Sequence, residues 1–272
     1  MTPVALLAFC LAPVLLPAQS LTLEINTIPR EAVAQRLNRL RTKDPERERE
    51  LMAMFAEAGC TGNQLVEEPV HRKGPQNIIC TLAGATQTVL IVSAHVDHVY
   101  RGDGAVDDWS GASLLPSLYE ALKSTPRKHT MQFIGFAEEE LGLLGSGFHV
   151  AHMTREQRES ISAVVNLECL GLSSTEVWVH VADKSLLSDL DRLSGAMHAP
   201  LAGVDIQKVG NDDTQPFRAK KIPTITIHSL TQATLPILHS NKDKLSAVDV
   251  DRLYESYRLI AEYLALIDQT RP

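Results

Sequence analysis

The sequence predicts an α/β sandwich with a largely parallel or mixed central sheet. Residues 88–94 form a continuous, mostly β-branched run, and residues 130–136 and 161–167 are further apolar runs of strand length. Segments with a helical period separate these runs, as is typical of α/β folds. No internal repeat, low-complexity segment or linker divides the chain. We therefore expect one catalytic-sized domain over residues 21–272.

The remaining elements follow from helical periodicity and turn residues. Pro29 stands near the start of the first helical pattern, and Gly59 stands near the end of the second. A Lys-Gly-Pro turn separates two short strand-like segments. We predict helices at residues 27–40, about 51–59, 110–123, 143–152, shortly after 154, 184–197 and about 247–267, and further strands at 64–69, 77–82, 177–181 and 223–227.

The bulk composition is ordinary for a soluble globular protein, with 44% hydrophobic and 22% charged residues. The formal net charge is −7, the isoelectric point is near 5.8, and Lys and Arg form no large cluster. These numbers argue against nucleic acid or an acidic membrane as the main partner. The chain is not expected to bind a polyanion through its overall charge.

The first twenty residues, Met1–Ser20, carry no charged side chain. Their apolar run, residues 4–16, is too short for a stable membrane span and has the length of a signal-peptide core. Residues 18–20 offer small side chains at the spacing that signal peptidase reads. We expect a signal peptide at residues 1–20 and an exported protein, periplasmic or secreted, with an uncleaved anchor or a buried N-terminal helix as the alternatives.

Three cysteines remain after such a leader. Cys60 and Cys80 flank strand-like segments, and an oxidising compartment would permit them to pair. Cys169 would then remain unpaired as a small core residue.

Imidazole and carboxylate side chains stand where predicted strands end. In open α/β sheets, ligands bind outside the carboxyl ends of the strands. A run of three glutamates by itself more often forms a solvated acidic turn. Here other potential ligands accompany the run, and a zinc-like cation needs such a mixture. The candidates are His95 and Asp97 after one strand, Glu139 and Glu140 after another, Glu168 after a third, and Asp107, Asp108 and His239 in polar loops.

Four blocks, in order, resemble the motifs of the M28 family of zinc exopeptidases, which are aminopeptidase-type enzymes. They are Ala94–His98, Gly104–Gly111, Phe136–Ser146 and His239–Asp243, with weaker matches at Asn211–Asp213, Phe217 and Ile222–Pro223. The resemblance runs from about Asn77 to the C-terminal helix. It implies a three-layer α/β/α sandwich and a metallo-aminopeptidase that acts on peptide substrates.

The resemblance also implies a set of metal ligands for two zinc ions. Asp107 would bridge the two ions. Glu140 and His239 would complete one site, and His95 and Glu168 would complete the other.

Further roles follow from the same resemblance. Glu139 would be the general base that takes a proton from the metal-bound water and delivers it to the leaving amine. Asp97 would accept the second ring proton of His95 and fix its tautomer. Glu138 falls outside the motif, and we expect it to be structural or to face the rim. Asp108 is expected to form hydrogen bonds within its loop.

Glu168 departs from the family pattern, which usually has Asp at this point. Its side chain is longer by one carbon–carbon bond, roughly 1.5 Å. We therefore expect the His95/Glu168 site to differ in position or affinity. A one-zinc acyltransferase similar to glutaminyl cyclases is the first alternative, although residues 141–146 follow the peptidase pattern. A non-catalytic binding domain on the same scaffold is the second alternative, although such domains typically lose ligands.

Two other hydrolase classes lack their motifs in this sequence. It contains no Gly-x-Ser-x-Gly elbow and no His-Glu-x-x-His helix. Dipeptidase and carboxypeptidase-type activities remain alternatives to aminopeptidase activity, and no substrate-binding residue is assigned. His228, at a strand end, would either line the substrate pocket or be a core or rim histidine.

Overall fold

The computed structural model describes residues 25–72, 74–205 and 210–272. The predicted signal peptide lies outside these residues. Within them, eight strands form one sheet in the order β1-β2-β4-β3-β5-β8-β6-β7. The strands are β1 Leu65–Pro69, β2 Gln76–Leu82, β3 Val89–His95, β4 Thr130–Phe136, β5 Ile161–Glu168, β6 Thr175–Trp178, β7 Leu201–Val204 and β8 Thr224–His228.

The four central strands β4, β3, β5 and β8 are parallel to one another. Strands β1 and β2 add antiparallel at one side, and β6 pairs antiparallel with β8 at the other. Glu168 is paired with His228 in the sheet, and His95 is paired with Phe136. The carboxyl ends of the central strands therefore meet at one edge, where the polar residues of the sequence lie.

Helices cover both faces of this sheet, so the fold is the expected three-layer α/β/α sandwich with a mixed, largely parallel sheet. Pro45 lies in the first turn of α2, and side chains of Asp183 and Asp249 cap α7 and α9. The helices are α1 Arg30–Leu37, α2 Asp44–Ala58, α3 Ser110–Ala112, α4 Leu115–Leu122, α5 Leu144–His152, α6 Arg155–Ser160, α7 Lys184–Met197, α8 Gln215–Arg218 and α9 Val250–Thr270.

Two cores form because alternate strand residues point to opposite faces. Leu90 and Val92 of β3 belong to the larger core, which includes buried residues of α1, α2, α4, α7 and α9. Ile91, between them, belongs to a smaller core with Phe136 and Phe217. The strands are buried on both faces, as their continuous apolar runs predict.

Several elements differ from the sequence predictions. The strand expected over 177–181 begins earlier and ends earlier, as β6 Thr175–Trp178. The charged segment that was expected to lead into the second helix is itself helical, because α2 begins at Asp44. The helix predicted over 110–123 is divided into α3 and α4, since Pro116 has no N–H to continue the ladder. The edge strand β7 was not predicted.

Cys60 and Cys80 form a disulfide that joins the end of α2 to β2, while Cys169 is free and buried. None of the helices within residues 25–72, 74–205 and 210–272 has the length and apolar character that a membrane span requires.

Candidate metal centre

The five predicted ligands converge at the carboxyl edge of the sheet. His95, at the end of β3, and Glu168, at the end of β5, face Asp107 in the loop that follows β3. The His95 Nε2 atom lies 3.1 Å from Asp107 Oδ1 and 3.4 Å from Glu168 Oε1. These three residues are buried and form the first ligand group.

Asp107 also belongs to a second ligand group through its other oxygen. His239 Nε2 lies 3.2 Å from Asp107 Oδ2 and 3.0 Å from Glu140 Oε2. Asp107, Glu140 and His239 thus offer one nitrogen and two carboxylate oxygens around a common point. Since each carboxylate oxygen of Asp107 faces a different group, this residue has the geometry of a bridge between two cations.

Glu139 lies next to both groups. Its carboxylate and that of Glu140 are close enough to His95 to form a third possible cluster. Glu139 also lines the cavity in front of the two groups. The structure thus brings together all five predicted ligands and the predicted general base.

The charges of the cluster fit a bound cation. Burial raises the pKa of Glu139 to about 10 and that of Glu140 to about 7, and neighbouring carboxylates add to both shifts. Burial alone would lower the pKa of His95, but hydrogen bonds with Asp107, Asp97 and Glu168 raise it well above its usual value. Oε1 of Glu140 is buried with no hydrogen-bond partner among the described residues. The site thus has an excess of buried carboxylate groups, and one carboxylate oxygen has no hydrogen-bond partner in the described part of the chain. A bound divalent cation would neutralise this negative charge.

Asp97 orders both the histidine and the glutamate loop. The His95 Nδ1 atom lies 3.2 Å from the Asp97 carbonyl oxygen and 3.4 Å from its Oδ1. The two carboxylate oxygens of Asp97 accept the backbone N–H groups of Glu139, at 3.0 Å, and Glu140, at 3.1 Å. One side chain therefore sets the relative positions of a ligand and the candidate base.

Asp108 and Asp243 hold the loop around Asp107. Asp108 Oδ1 accepts the backbone N–H groups of Gly111, at 3.1 Å, and Cys169, at 2.9 Å. Asp243, from the last motif block, accepts the backbone N–H of Val106 at 2.7 Å. Asp108 thus forms the loop hydrogen bonds that its position suggested.

A cavity of about 470 Å³ opens in front of the two ligand groups. Its lining combines residues of the metal centre with apolar side chains and with polar side chains at and before the start of α8. The lining residues are Asp107, Glu139, Glu140, Gly142, Leu143, Glu168, Cys169, Trp178, Gly210, Asn211, Gln215, Leu230, Leu238 and His239. The cavity is of the size that binds a small ligand or part of a peptide.

Two residues from the weaker sequence signals are buried near this cavity. His228 packs its ring against Trp178, and its Nδ1 accepts the backbone N–H of Leu230 at 2.9 Å. Burial lowers the pKa of His228 to about 3, so the ring is neutral. Burial also raises the pKa of Asp213 to about 8. His228 is thus buried like a core histidine, although its Nε2 has no hydrogen-bond partner among the described residues.

Residues 77–264 match the model of peptidase family M28, which is more than half of the chain. The chain belongs to peptidase family M28. It is 28% identical over 221 residues to aminopeptidase YwaD of Bacillus subtilis (strain 168), an alignment that covers 77% of this chain and 47% of YwaD. The chain therefore spans about half the length of this curated relative.

Solved structures of two kinds share the fold. BSAP, a zinc aminopeptidase from Bacillus subtilis, is similar with a TM-score of 0.66 and 24% identity, over 72% of this chain and 51% of that protein. The glutaminyl cyclase of an Acidobacteriales bacterium is similar with a TM-score of 0.72 and 16% identity, over 88% and 93% of the two chains. At these identities the likeness concerns the fold.

One polar anchor of this M28 site is not recognisable in the sequence. Asn77 starts the matched region, and the sequence predicts only a strand there. Its amide oxygen accepts the backbone N–H of Ala137 at 3.0 Å, and its Nδ2 donates to the Gly145 carbonyl at 3.0 Å. A Cβ atom on Gly145 would lie 2.2 Å from the Ala137 carbonyl oxygen, so this approach requires glycine. The Gly-Ser pair of the motif is the only sequence signal of this contact.

Backbone conformation around the M28 site was also not legible in the sequence. Glu138, Leu143, Cys169 and His239 all adopt positive φ angles, between 49° and 60°. Residues other than glycine rarely do so, and such strain is concentrated at functional sites. His239 is itself a candidate ligand, and Cys169 directly follows the candidate ligand Glu168. The positive φ angles therefore occur at or next to residues that would bind the metal.

Proposed function

We propose that this chain is a zinc-dependent exopeptidase, specifically an aminopeptidase that hydrolyses N-terminal peptide bonds. One observation carries the proposal: Asp107 faces a ligand group with each carboxylate oxygen, and Glu139 lies beside both groups at the cavity. Family membership and the names of YwaD and BSAP support the same activity. We further propose two zinc ions per chain, one at each ligand group.

The bound ions would polarise the scissile carbonyl and acidify the attacking water. Glu139 would take the proton from that water and pass it to the leaving amine. In the absence of cations, burial holds the proton on Glu139, with a pKa of about 10. Nearby positive charge lowers a carboxyl pKa, so the base becomes competent only in the loaded site. Asp97 keeps Glu139 in place through its backbone N–H.

A second candidate function is a one-zinc glutaminyl cyclase-like acyltransferase. The similar cyclase structure, of which 93% is covered, favours this alternative, because it shows that a protein of this extent can be a cyclase. Two complete ligand groups favour the peptidase instead. They also argue against a non-catalytic binding domain, which would be expected to lose ligands.

A substrate panel combined with metal analysis tests these proposals. We expect near two zinc ions per chain and cleavage of peptides with a free N-terminus. Acetylation of that N-terminus should abolish cleavage, whereas amidation of the C-terminus should not. One zinc ion with cyclisation of an N-terminal glutamine would establish the cyclase instead, and no zinc with no turnover would favour the binding domain.

We also propose that the protein is exported, to the periplasm or the medium. The disulfide between Cys60 and Cys80 supports this, because such bonds persist mainly in oxidising compartments. N-terminal sequencing of the mature protein should find a start near residue 21. An intact Met1 on protein recovered from the cytoplasm would contradict the proposal.

A further inference from the structure

Helices α1 and α2 precede the region matched by the family model, which begins at residue 77. We infer that they are a working part of the metal centre, and that Arg47 of α2 is a positioning residue for the loop that carries Asp107. The inference rests on the proposed zinc site but not on the peptidase reaction.

Arg47 is fully buried and holds the start of this loop. Its Nη2 donates to the Gly104 carbonyl at 2.9 Å, and its Nη1 donates to the Asp103 carbonyl at 3.2 Å. The guanidinium also lies 5.4 Å from the ring centre of Trp109, just after the bridging position. Arginine presents parallel donors in a rigid fork, so it fixes two successive carbonyls more firmly than the flexible ammonium group of lysine would.

The loop is too closely packed on Arg47 to move freely. Gly104 has a φ of 58°, and a Cβ atom there would lie 2.7 Å from Arg47 Nη1 and 2.4 Å from His98 Cβ. The Asp103 N–H donates to the Asp243 carbonyl at 2.7 Å, and Asp243 also accepts the backbone N–H of Val106. Arg47 and Asp243 therefore both hold the segment 103–106, which leads directly into Asp107.

Two more polar contacts attach the helical pair to the metal loops. The Trp109 indole N–H donates to the Leu37 carbonyl, at the end of α1, with a distance of 2.9 Å. Asp44 Oδ1, in the first turn of α2, lies 2.7 Å from His98 Nδ1, three residues after the ligand His95. The helices thus reach both the His95 segment and the Asp107 loop.

The surrounding carboxylates give a second reason for a positively charged side chain at position 47. Burial lowers the pKa of Arg47, while the carboxylates of Asp44, Asp97, Asp108 and Asp243 act in the opposite direction. Replacement of a buried arginine of purely structural value would lower stability but would leave the zinc affinity of the folded site unchanged. Replacement of a positioning arginine would also weaken zinc binding, because the bridging carboxylate would lose its fixed place.

The test is zinc affinity, measured by competition with a chromophoric chelator, for Arg47→Met and Arg47→Lys. We expect Arg47→Met to weaken zinc binding about 10- to 100-fold, as the loss of groups that orient ligands commonly does. Arg47→Lys should lie between Arg47→Met and the wild type, because it keeps the charge and N–H donors but lacks the planar fork. It also decides the matter if Arg47→Met does not fold.

Arg36→Met is the matched control. Arg36 is a largely buried arginine of α1 that pairs with Glu120 and donates to Ser117, away from the metal loops. It should lower the melting temperature but leave zinc affinity within about twofold, well short of the change expected for a lost orienting group. Wild-type affinity in both Arg47 variants, or absence of zinc binding in the wild type, would overturn the inference. Zinc binding without peptide cleavage in the wild type would refute the proposed function alone.

Discussion

At the scale of single residues, the backbone around Glu138 gives three consecutive carboxylates three different surroundings. Glu138 has a φ of 55° and pairs with His71, its Oε2 2.9 Å from His71 Nε2. Glu139 lies between the ligand groups, and Glu140 faces His239. In the sequence, counting back from Gly142 predicts these different roles for the three glutamates. In the structure, the turn at Glu138 is what separates their side chains.

Replacement of Glu139 by Gln should remove the base and keep the metal site. We expect kcat/KM for a peptide substrate to fall about 10²- to 10⁴-fold, because a carboxamide cannot accept the proton. Zinc content should be unchanged. Glu138→Gln is the matched control and should retain activity within a few-fold. Full activity of zinc-loaded Glu139→Gln protein would show that another group is the base.

Glu48 should make stability depend on pH. It is buried in α2, and burial raises its pKa to about 7, with Asp44, Glu67 and Asp97 adding to the shift. The unfolded chain loses this proton near pH 4.5, so the folded state binds more protons between pH 4.5 and 7. Stability contributed by this group therefore falls as pH rises through that window.

Glu48→Gln should accordingly raise the free energy of unfolding at pH 8 by up to roughly 3 kcal/mol relative to its effect at pH 5. Urea denaturation at both pH values measures this. Glu57→Gln, at an exposed position of the same helix, should show no such difference. If Glu48→Gln changed the free energy of unfolding equally at both pH values, the pKa of Glu48 in the folded protein would not lie between pH 5 and pH 8.

At the scale of elements, the start of α2 could not be located from its highly charged sequence. The acidic and basic residues before Leu51 suggested a polar lead-in, yet Asp44 and Pro45 begin the helix there. Arg47 is buried because this end of α2 packs against the loop before Asp107, whose carbonyls accept its hydrogen bonds. Glu48 is buried next to it and is hydrogen-bonded to the backbone of Gln76. Periodicity of apolar residues does not reveal a helix face that is buried against polar loops.

The disulfide from the end of α2 to β2 should contribute measurably to stability. It closes a loop with a sequence separation of 20 residues, for which chain entropy predicts about 3 kcal/mol. We expect the paired replacement Cys60→Ala and Cys80→Ala to lower the free energy of unfolding by about this amount. Dithiothreitol should destabilise the wild type similarly and leave the double variant unaffected. Sensitivity of the double variant to dithiothreitol would point to another cause.

At the scale of the whole molecule, the sequence predicts the central strands and the edge strand β1, but not the other edge strand, β7. Strands β3, β4 and β5 are buried on both faces, so their apolar runs stand out. The edge strand β7, only Leu201–Val204, contains two small residues and has one neighbour, so its sequence carries little signal. Ligand residues were visible through their motifs, whereas Asn77 and Arg47 were not, because only tertiary packing gives them their contacts.

Removal of zinc should destabilise the molecule as a whole. Without cations, the buried carboxylates of the centre repel one another or must be protonated, and both lower the free energy of unfolding. We expect chelation to lower the melting temperature by several degrees, in line with ligand binding that favours the native state. Added zinc should restore the original value, and magnesium, which prefers an all-oxygen octahedron, should not. An unchanged melting temperature after complete zinc removal would contradict this expectation.

The spread of the ligands along the chain, from residue 95 to residue 239, has a consequence for folding. Neither ligand group lies within a short segment. The first group exists only when β3 and β5 are aligned, and the second exists only when the loop bearing His239 has docked beside Asp107 and Glu140. Zinc therefore cannot nucleate this fold as it nucleates a zinc finger. During refolding, zinc uptake should be among the last events, later than sheet formation, and its rate should report completion of the native topology.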